Sequence, residues 1–157
     1  MYRFTRTSEK RLMYLHPNLQ KFFIKLLKIS PYDFSISQGV RTAEEQNKLY
    51  QQGRTVPGKI VTNCDGYKIK SKHQVKSDGF GYAGDIAILI DGKVTWEEKY
   101  YKEVARAGRI LMQKYNIEWG GDWKRFKDLP HFEYIGEWWY DTNIRWSIKV
   151  GEQSHSW

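Results

Sequence analysis

The sequence predicts an α+β fold, a small antiparallel sheet with helices packed around it. Three observations carry this. Helical and strand-like stretches alternate along the chain without the regular rhythm of a doubly wound parallel sheet. The strand-like stretches are short, and Asp91-Gly92 is a tight hairpin turn after one of them. The 157 residues are 40% apolar and 28% charged, which suits one self-sufficient core, and they contain no internal repeat or linker.

The elements follow in order. Thr7-Ser8-Glu9 caps a short helix reaching Tyr14. His16 caps or packs at the next helix start, where Pro17 takes a first helical position. Leu19, Phe22, Phe23, Leu26 and Leu27 then form an apolar stripe at helical spacing, and Ser30-Pro31 ends it. Phe34-Ser35-Ile36-Ser37 alternates as a strand, with Gln38 continuing the face of Phe34 and Ile36. Thr42-Ala43-Glu44-Glu45 is a capping box that opens a helix, and Gly53 closes it.

Residues 54–81 form a long irregular excursion, and long loops in compact domains are commonly functional. Ala83 to Ile90 is a strand that places Ile86, Ile88 and Ile90 on one face and Asp85 on the other. Tyr101, Val104, Ala105, Gly108, Leu111, Met112 and Tyr115 mark one helix from about Glu97. Ile117–Trp119 and His131–Ile135 are two further short strands.

Composition narrows the function. The single cysteine, Cys64, excludes an intrachain disulfide and a multi-cysteine zinc cluster, and with no matched histidine it is no nucleophile. No apolar run approaches the ~18 residues of a membrane span, and the start Met1 to Arg6 has no secretory pattern. Lys and Arg number 26 against 18 Asp and Glu, a net +8, but they are scattered rather than blocked. That argues against nucleic acid and leaves an anionic polymer such as cell wall as a partner.

Of four histidines, His155 lies third from the end and His16 is assigned to a helix start, which leaves His73 and His131. His73 ends the irregular excursion. Asp85 follows twelve residues later, near the start of an otherwise apolar strand, an expensive place for an unpaired charge. His131 opens the last strand, with Asp128 three residues before it. Two histidines and an aspartate at strand starts match the donor set of a catalytic zinc site. The plainer alternative is two hydrogen-bonded histidines and an aspartate that caps a turn.

A family resemblance bears on that choice. The segments Ser30-Pro31-Tyr32-Asp33-Phe34, Gln38-Gly39-Val40-Arg41-Thr42 with Gln46, Ser71-Lys72-His73, Tyr82-Ala83-Gly84-Asp85, Trp119-Gly120-Gly121-Asp122-Trp123 and Asp128-x-x-His131 occur in this order. From about Ser8 to Tyr134 the chain resembles the zinc peptidases that include D-alanyl-D-alanine carboxypeptidases and phage L-alanyl-D-glutamate endolysins, most of all the single-domain endolysins. The resemblance implies a D-Ala-D-Ala peptidase/hedgehog-like fold and one Zn2+ held by His73, Asp85 and His131. It also implies Asp128 as the acid/base that activates the zinc-bound water and Arg41 as the group stabilising the oxyanion. Gln38, Ser71 and Trp123 are further expected substrate contacts.

The chain departs from the family pattern at Val75–Gly79, five extra residues between His73 and Asp85. Loop-closure entropy grows slowly with length, so a surface loop absorbs them. They make Asp78 a rival ligand that ranks behind Asp85.

Arg41 also stands out physically, because a cation just before a helix start opposes the helix dipole. Trp119, Asp122 and Trp123 either line the cleft, or Trp119 is core and Gly120-Gly121 only a turn. The expected organisation is a catalytic domain over 1–135 and an aromatic-rich tail over 136–157, which holds Trp138, Trp139, Trp146 and Trp157 and packs on the same domain.

The function expected is a monomeric zinc endolysin that hydrolyses the L-alanyl-D-glutamate bond of the peptidoglycan stem peptide. It would wait in the host bacterial cytoplasm until released to the wall. A D-alanyl-D-alanine carboxypeptidase is the enzyme alternative. A non-catalytic basic module binding cell wall or nucleic acid is the alternative of a different class.

Overall fold

A computed structural model describes residues 1–136. The tail reading, with its four tryptophans and His155, lies outside the described residues beyond Gly136.

The elements are α1 (Arg6–Leu12), α2 (Pro17–Ile29), β1 (Asp33–Gln38), α3 (Ala43–Gln51), β2 (Ala83–Ile90), β3 (Lys93–Thr95), α4 (Glu98–Ala107), α5 (Arg109–Tyr115), β4 (Ile117–Trp119) and β5 (His131–Tyr134). The sheet is antiparallel in the order β1-β2-β5-β4, with β3 returning along β2 through the Asp91-Gly92 hairpin. Both turn residues have positive φ, 50° and 75°, as a two-residue hairpin of this hand requires.

Strand alternation gives the sheet two unlike faces. One carries Ile36, Ile86, Ile88, Phe132 and Tyr134 into the core. There α2 lays down Leu19, Phe22, Phe23 and Leu26, all fully buried. Each such side chain contributes about 1.5–3 kcal/mol of burial. Phe22 and Phe23 lie 5.4 and 5.8 Å from the Phe132 ring. Gly84 permits this approach: a Cβ there would stand 3.0 Å from both Leu15 and Phe23. The opposite face carries the register partners Gln38, Asp85 and His131, and then Glu133 opposite Glu118.

Three local expectations are corrected. The cap of α1 is Thr5, whose hydroxyl accepts from the Ser8 N–H. Ser8 is buried and its Oγ accepts from the Ile36 N–H at 3.1 Å, so it ties α1 to β1. The single helix from Glu97 is two, broken at Gly108, where a Cβ would come within 2.8 Å of Leu26 on α2. Gln38 does not continue the face of Phe34 and Ile36. A β-bulge between Ile36 and Gln38 shifts the register so that Gln38 pairs with Asp85 on the other face.

The capping box at Thr42 and Glu45 is present, and α3 ends at Gln51 before Gly53 at φ 77°. His16 accepts from the Asn18 N–H and stacks on Tyr134 at 3.8 Å, the capping and packing role expected of it. Among the described residues no helix is long and apolar enough to cross a membrane.

Candidate active site

The polar face of the sheet builds the site. Asp85 and His131 sit opposite each other on β2 and β5. His73 arrives from the excursion, where a small network fixes its turn. The Ser71 Oγ accepts from the His73 N–H at 3.2 Å, and the Gln74 side chain bridges the Ser71 N–H and the Gly66 carbonyl. The Arg41 N–H then donates to the His73 carbonyl at 2.9 Å, joining that turn to the end of β1.

The result is a buried group in which one ligand atom each from His73, Asp85 and His131 lie within 4.8 Å of one another. His73 Nε2 is 3.2 Å and His131 Nδ1 3.0 Å from Asp85 Oδ1.

The remaining atoms of these side chains have partners of their own. His73 Nδ1 lies 2.8 Å from the Gly39 carbonyl, which can only accept, so this nitrogen carries the proton and Nε2 is free to ligate. His131 Nε2 lies 2.9 Å from the buried carboxylate of Glu133, which likewise leaves Nδ1 to face the group. Asp85 Oδ2 accepts from Arg41 Nη2 at 3.2 Å. Outer partners that orient each ligand in this way are the rule around protein-bound metals, so the donor set and its supports fit a metal ion.

The electrostatics agree. Burial alone would raise Asp85, but the two imidazoles hold it well below the usual carboxylate range. Burial disfavours a charged His131, yet the Asp85 and Glu133 carboxylates outweigh it and push the ring up to about 10. A metal cation takes the place of such a proton between the same donors.

Asp128 reaches the site from the turn before β5. Its N–H donates to the Gly120 carbonyl and its carbonyl accepts from His131, at 3.1 and 3.2 Å. Desolvation and the neighbouring Asp85 charge raise its carboxyl above the ordinary value, with His131, His73 and Arg41 opposing. It nevertheless keeps contact with solvent.

Arg41 is largely buried, with Nε on Gln38, Nη1 on Gln46 and Nη2 on Asp85. Gln46 is fully buried and also donates to the Cys64 carbonyl and the Thr62 hydroxyl, so it links the excursion to Arg41. The Trp123 ring centroid is 5.1 Å from that of His131, and its Nε1 donates to Glu118. Burial, and then the Glu133 charge, push the Glu118 carboxyl up.

The phage L-alanyl-D-glutamate peptidase family matches residues 1–141. The chain belongs to this family.

Over 113 residues it is 40% identical to the peptidoglycan L-alanyl-D-glutamate endopeptidase CwlK of Bacillus subtilis, a match covering 66% of this chain and 61% of CwlK. Over 132 residues it is 33% identical to the L-alanyl-D-glutamate peptidase of Escherichia phage T5, covering 81% of this chain and 85% of that one. Among solved structures it resembles the Serratia marcescens L-Ala D-Glu endopeptidase ChiX, with TM-score 0.66 and 30% identity over 85% of this chain and 90% of ChiX. An α+β fold with an antiparallel sheet is thus shared with that peptidase.

The structure brings His73, Asp85, His131, Asp128, Arg41 and Trp123 together and separates others. Asp78 in the extra loop is exposed. Its carboxylate accepts from the Phe80 N–H and the Tyr82 hydroxyl, and it is not in the ligand group. Trp119 belongs to the core, whereas Asp122 pairs with Arg109 at the surface. Ser71 is buried and holds the His73 turn, while Gln38 is exposed beside Arg41. Cys64 is buried and burial pushes its thiol up, in keeping with an inert side chain.

Sequence reasoning missed Glu133 and Glu118. The available signal was alternation, because Glu133 lies two residues after His131 and so shares its face.

Proposed function

We propose that this chain is a zinc-dependent peptidoglycan hydrolase that cleaves the stem peptide between L-alanine and D-glutamate. The observation that carries the reading is the buried His73–Asp85–His131 group with Asp128 beside it and an outer partner behind each ligand. Family membership and the names of CwlK and the phage T5 peptidase support the choice of bond.

When bound by His73 Nε2, Asp85 and His131 Nδ1, zinc would polarise the scissile carbonyl and make water acidic enough to attack at neutral pH. The chain's own groups do the rest. Asp128, its carboxyl raised above the ordinary value by burial and the Asp85 charge, takes a proton from the attacking water and returns it to the departing D-glutamyl nitrogen. Arg41 supplies a fixed positive charge for the carbonyl oxygen as it becomes negative. Its guanidinium has more N–H groups than its three bonds to Gln38, Gln46 and Asp85 use. Trp123 packs its ring beside that of His131. Gln38 is an exposed contact for substrate, and the net +8 charge draws the protein to anionic wall polymers.

The test is a muropeptide digest analysed by mass, alongside metal analysis. Expected are stoichiometric zinc, loss of activity on chelation with recovery on zinc addition, and two products: a glycan-linked lactyl-L-alanine and a free peptide beginning with D-glutamate. Release of single D-alanine would establish a carboxypeptidase. Protein without zinc or cleavage would be a binding module.

A further inference from the structure

We propose that the groove between α1, the end of β1 and the start of α3 is the subsite for the D-glutamyl side of the scissile bond, with Arg11 and Lys48 meeting its carboxylates. This rests on the peptidase reading above and says which half of the substrate lies where.

The groove has a volume of about 470 Å³ and is lined by Arg11, Gln38, Gly39, Arg41, Glu45 and Lys48, among others. It adjoins the candidate centre, because two of its walls also hold residues of that centre. The Gly39 carbonyl holds His73 Nδ1, and Arg41 holds Asp85. Arg11 is fixed there twice over. Its Nη1 donates to the Ile36 carbonyl at 2.7 Å. Its own carbonyl oxygen would stand 3.2 Å from a Cβ at Gly39, so α1 and the strand end are closely packed.

The lining carries three cations and one carboxylate, and that carboxylate, Glu45, is committed to the Thr42 N–H in the capping box. Lys48 pairs with Glu44 at 3.2 Å, but both side chains are about three-quarters exposed, so the pair is weak and exchangeable.

The two halves of the substrate differ in charge. On the acyl side, L-alanine is amide-linked to the lactyl group of the sugar, and nothing near the bond is ionised. On the amine side, D-glutamate continues the stem through its γ-carboxyl. Its α-carboxylate therefore stands free next to the scissile nitrogen, and the end of the stem adds another.

The sheet order β1-β2-β5-β4 sets the centre between unlike flanks. The β1 flank is the cationic groove. The β4 flank offers Trp123 and the carboxylate of Glu118. The cations of the first match an anionic peptide, whereas a neutral lactyl-alanyl sugar suits the aromatic side.

The experiment compares two synthetic sugar-lactyl tripeptides, one with D-glutamate and one with D-isoglutamine, whose α-carboxylate is an amide. Wild-type protein should favour the D-glutamate substrate in KM. The ratio of kcat/KM between the two should fall by about 2–5-fold in Lys48→Glu, the range of a partly exposed charge pair, and further in Lys48→Glu combined with Arg11→Gln. Lys48 is a surface residue, so the single variant stays folded, and its melting temperature and zinc content verify this. The wild-type preference should also shrink as salt is raised.

A ratio unchanged in both variants, or a wild-type enzyme indifferent to the α-carboxylate, overturns the subsite while leaving the peptidase reading intact. Failure to cut either substrate between L-alanine and D-glutamate overturns the peptidase reading, and the subsite with it.

Discussion

Glu133 offers the sharpest test of how the centre is held. Its side chain is 1% exposed and accepts from His131 Nε2 at 2.9 Å. It also stands directly opposite Glu118 in the β4–β5 register. Like charges facing each other across strands destabilise a sheet by about 0.2–1 kcal/mol. Glu133 offsets that repulsion in metal-free protein through its bond to His131. If it orients His131, the charge is what fixes Nε2–H outward and makes Nδ1 a better ligand.

Glu133→Gln separates zinc affinity from metal-free stability. Glutamine keeps the volume and an accepting oxygen, and it loses both the repulsion with Glu118 and the charge-assisted bond to His131, so these oppose each other and metal-free protein should melt near the wild-type temperature. Zinc affinity should fall about 10–100-fold, the usual cost of removing such an outer carboxylate. A tenfold loss removes about 1.4 kcal/mol of the stabilisation that saturating zinc provides. Glu133→Ala should lose both, because it leaves a cavity and a buried N–H without an acceptor, about 1–3 kcal/mol for the latter. Competition with a chromophoric chelator measures affinity, and melting with and without zinc measures stability. Wild-type zinc affinity in Glu133→Gln would refute the argument.

The other predictions are briefer. Asp128→Asn should retain zinc yet lose about 10²–10⁴-fold in turnover; loss of zinc would instead make Asp128 a ligand, and normal turnover would end its acid/base role. Gly120→Ala should destabilise the protein by about 1–3 kcal/mol and slow turnover with it, because the new Cβ would fall 2.3 Å from the Asp128 carbonyl oxygen; a variant with wild-type melting and rate would show that the turn is not held this tightly. Activity on whole walls should fall with salt more steeply than activity on a small soluble muropeptide, because the +8 charge acts through exposed groups screened over about 8 Å at physiological ionic strength; equal slopes would show that charge does not guide the protein to its substrate.

What the sequence made legible depends on the range of the force that decides each feature. The β2 strand, the α2 stripe, the α3 capping box and the Asp91-Gly92 hairpin are settled by neighbours a few residues away, and all were readable. The lack of room for a side chain at Gly108 is set by Leu26, more than eighty residues upstream, and the unbroken stripe from Tyr101 to Tyr115 concealed the break there. Gln38 was misplaced for the same reason. The bulge that turns it towards Asp85 belongs to the pairing with β2 and leaves no trace in the alternation of β1 itself.

The candidate ligand group spans residues 73 to 131, and spacing alone could not join its members; the family pattern did. That pattern covers the ligands and Asp128 but not Glu133, whose role exists only once β5 is paired on both sides. A charged residue at a strand position reads as solvent-facing. Here the site face of the sheet is itself covered by the excursion that carries Cys64 and Gln74, both buried. His131 and Glu133 on that face are therefore buried as deeply as apolar residues on the other, and the charge of Glu133 signals a partner rather than water.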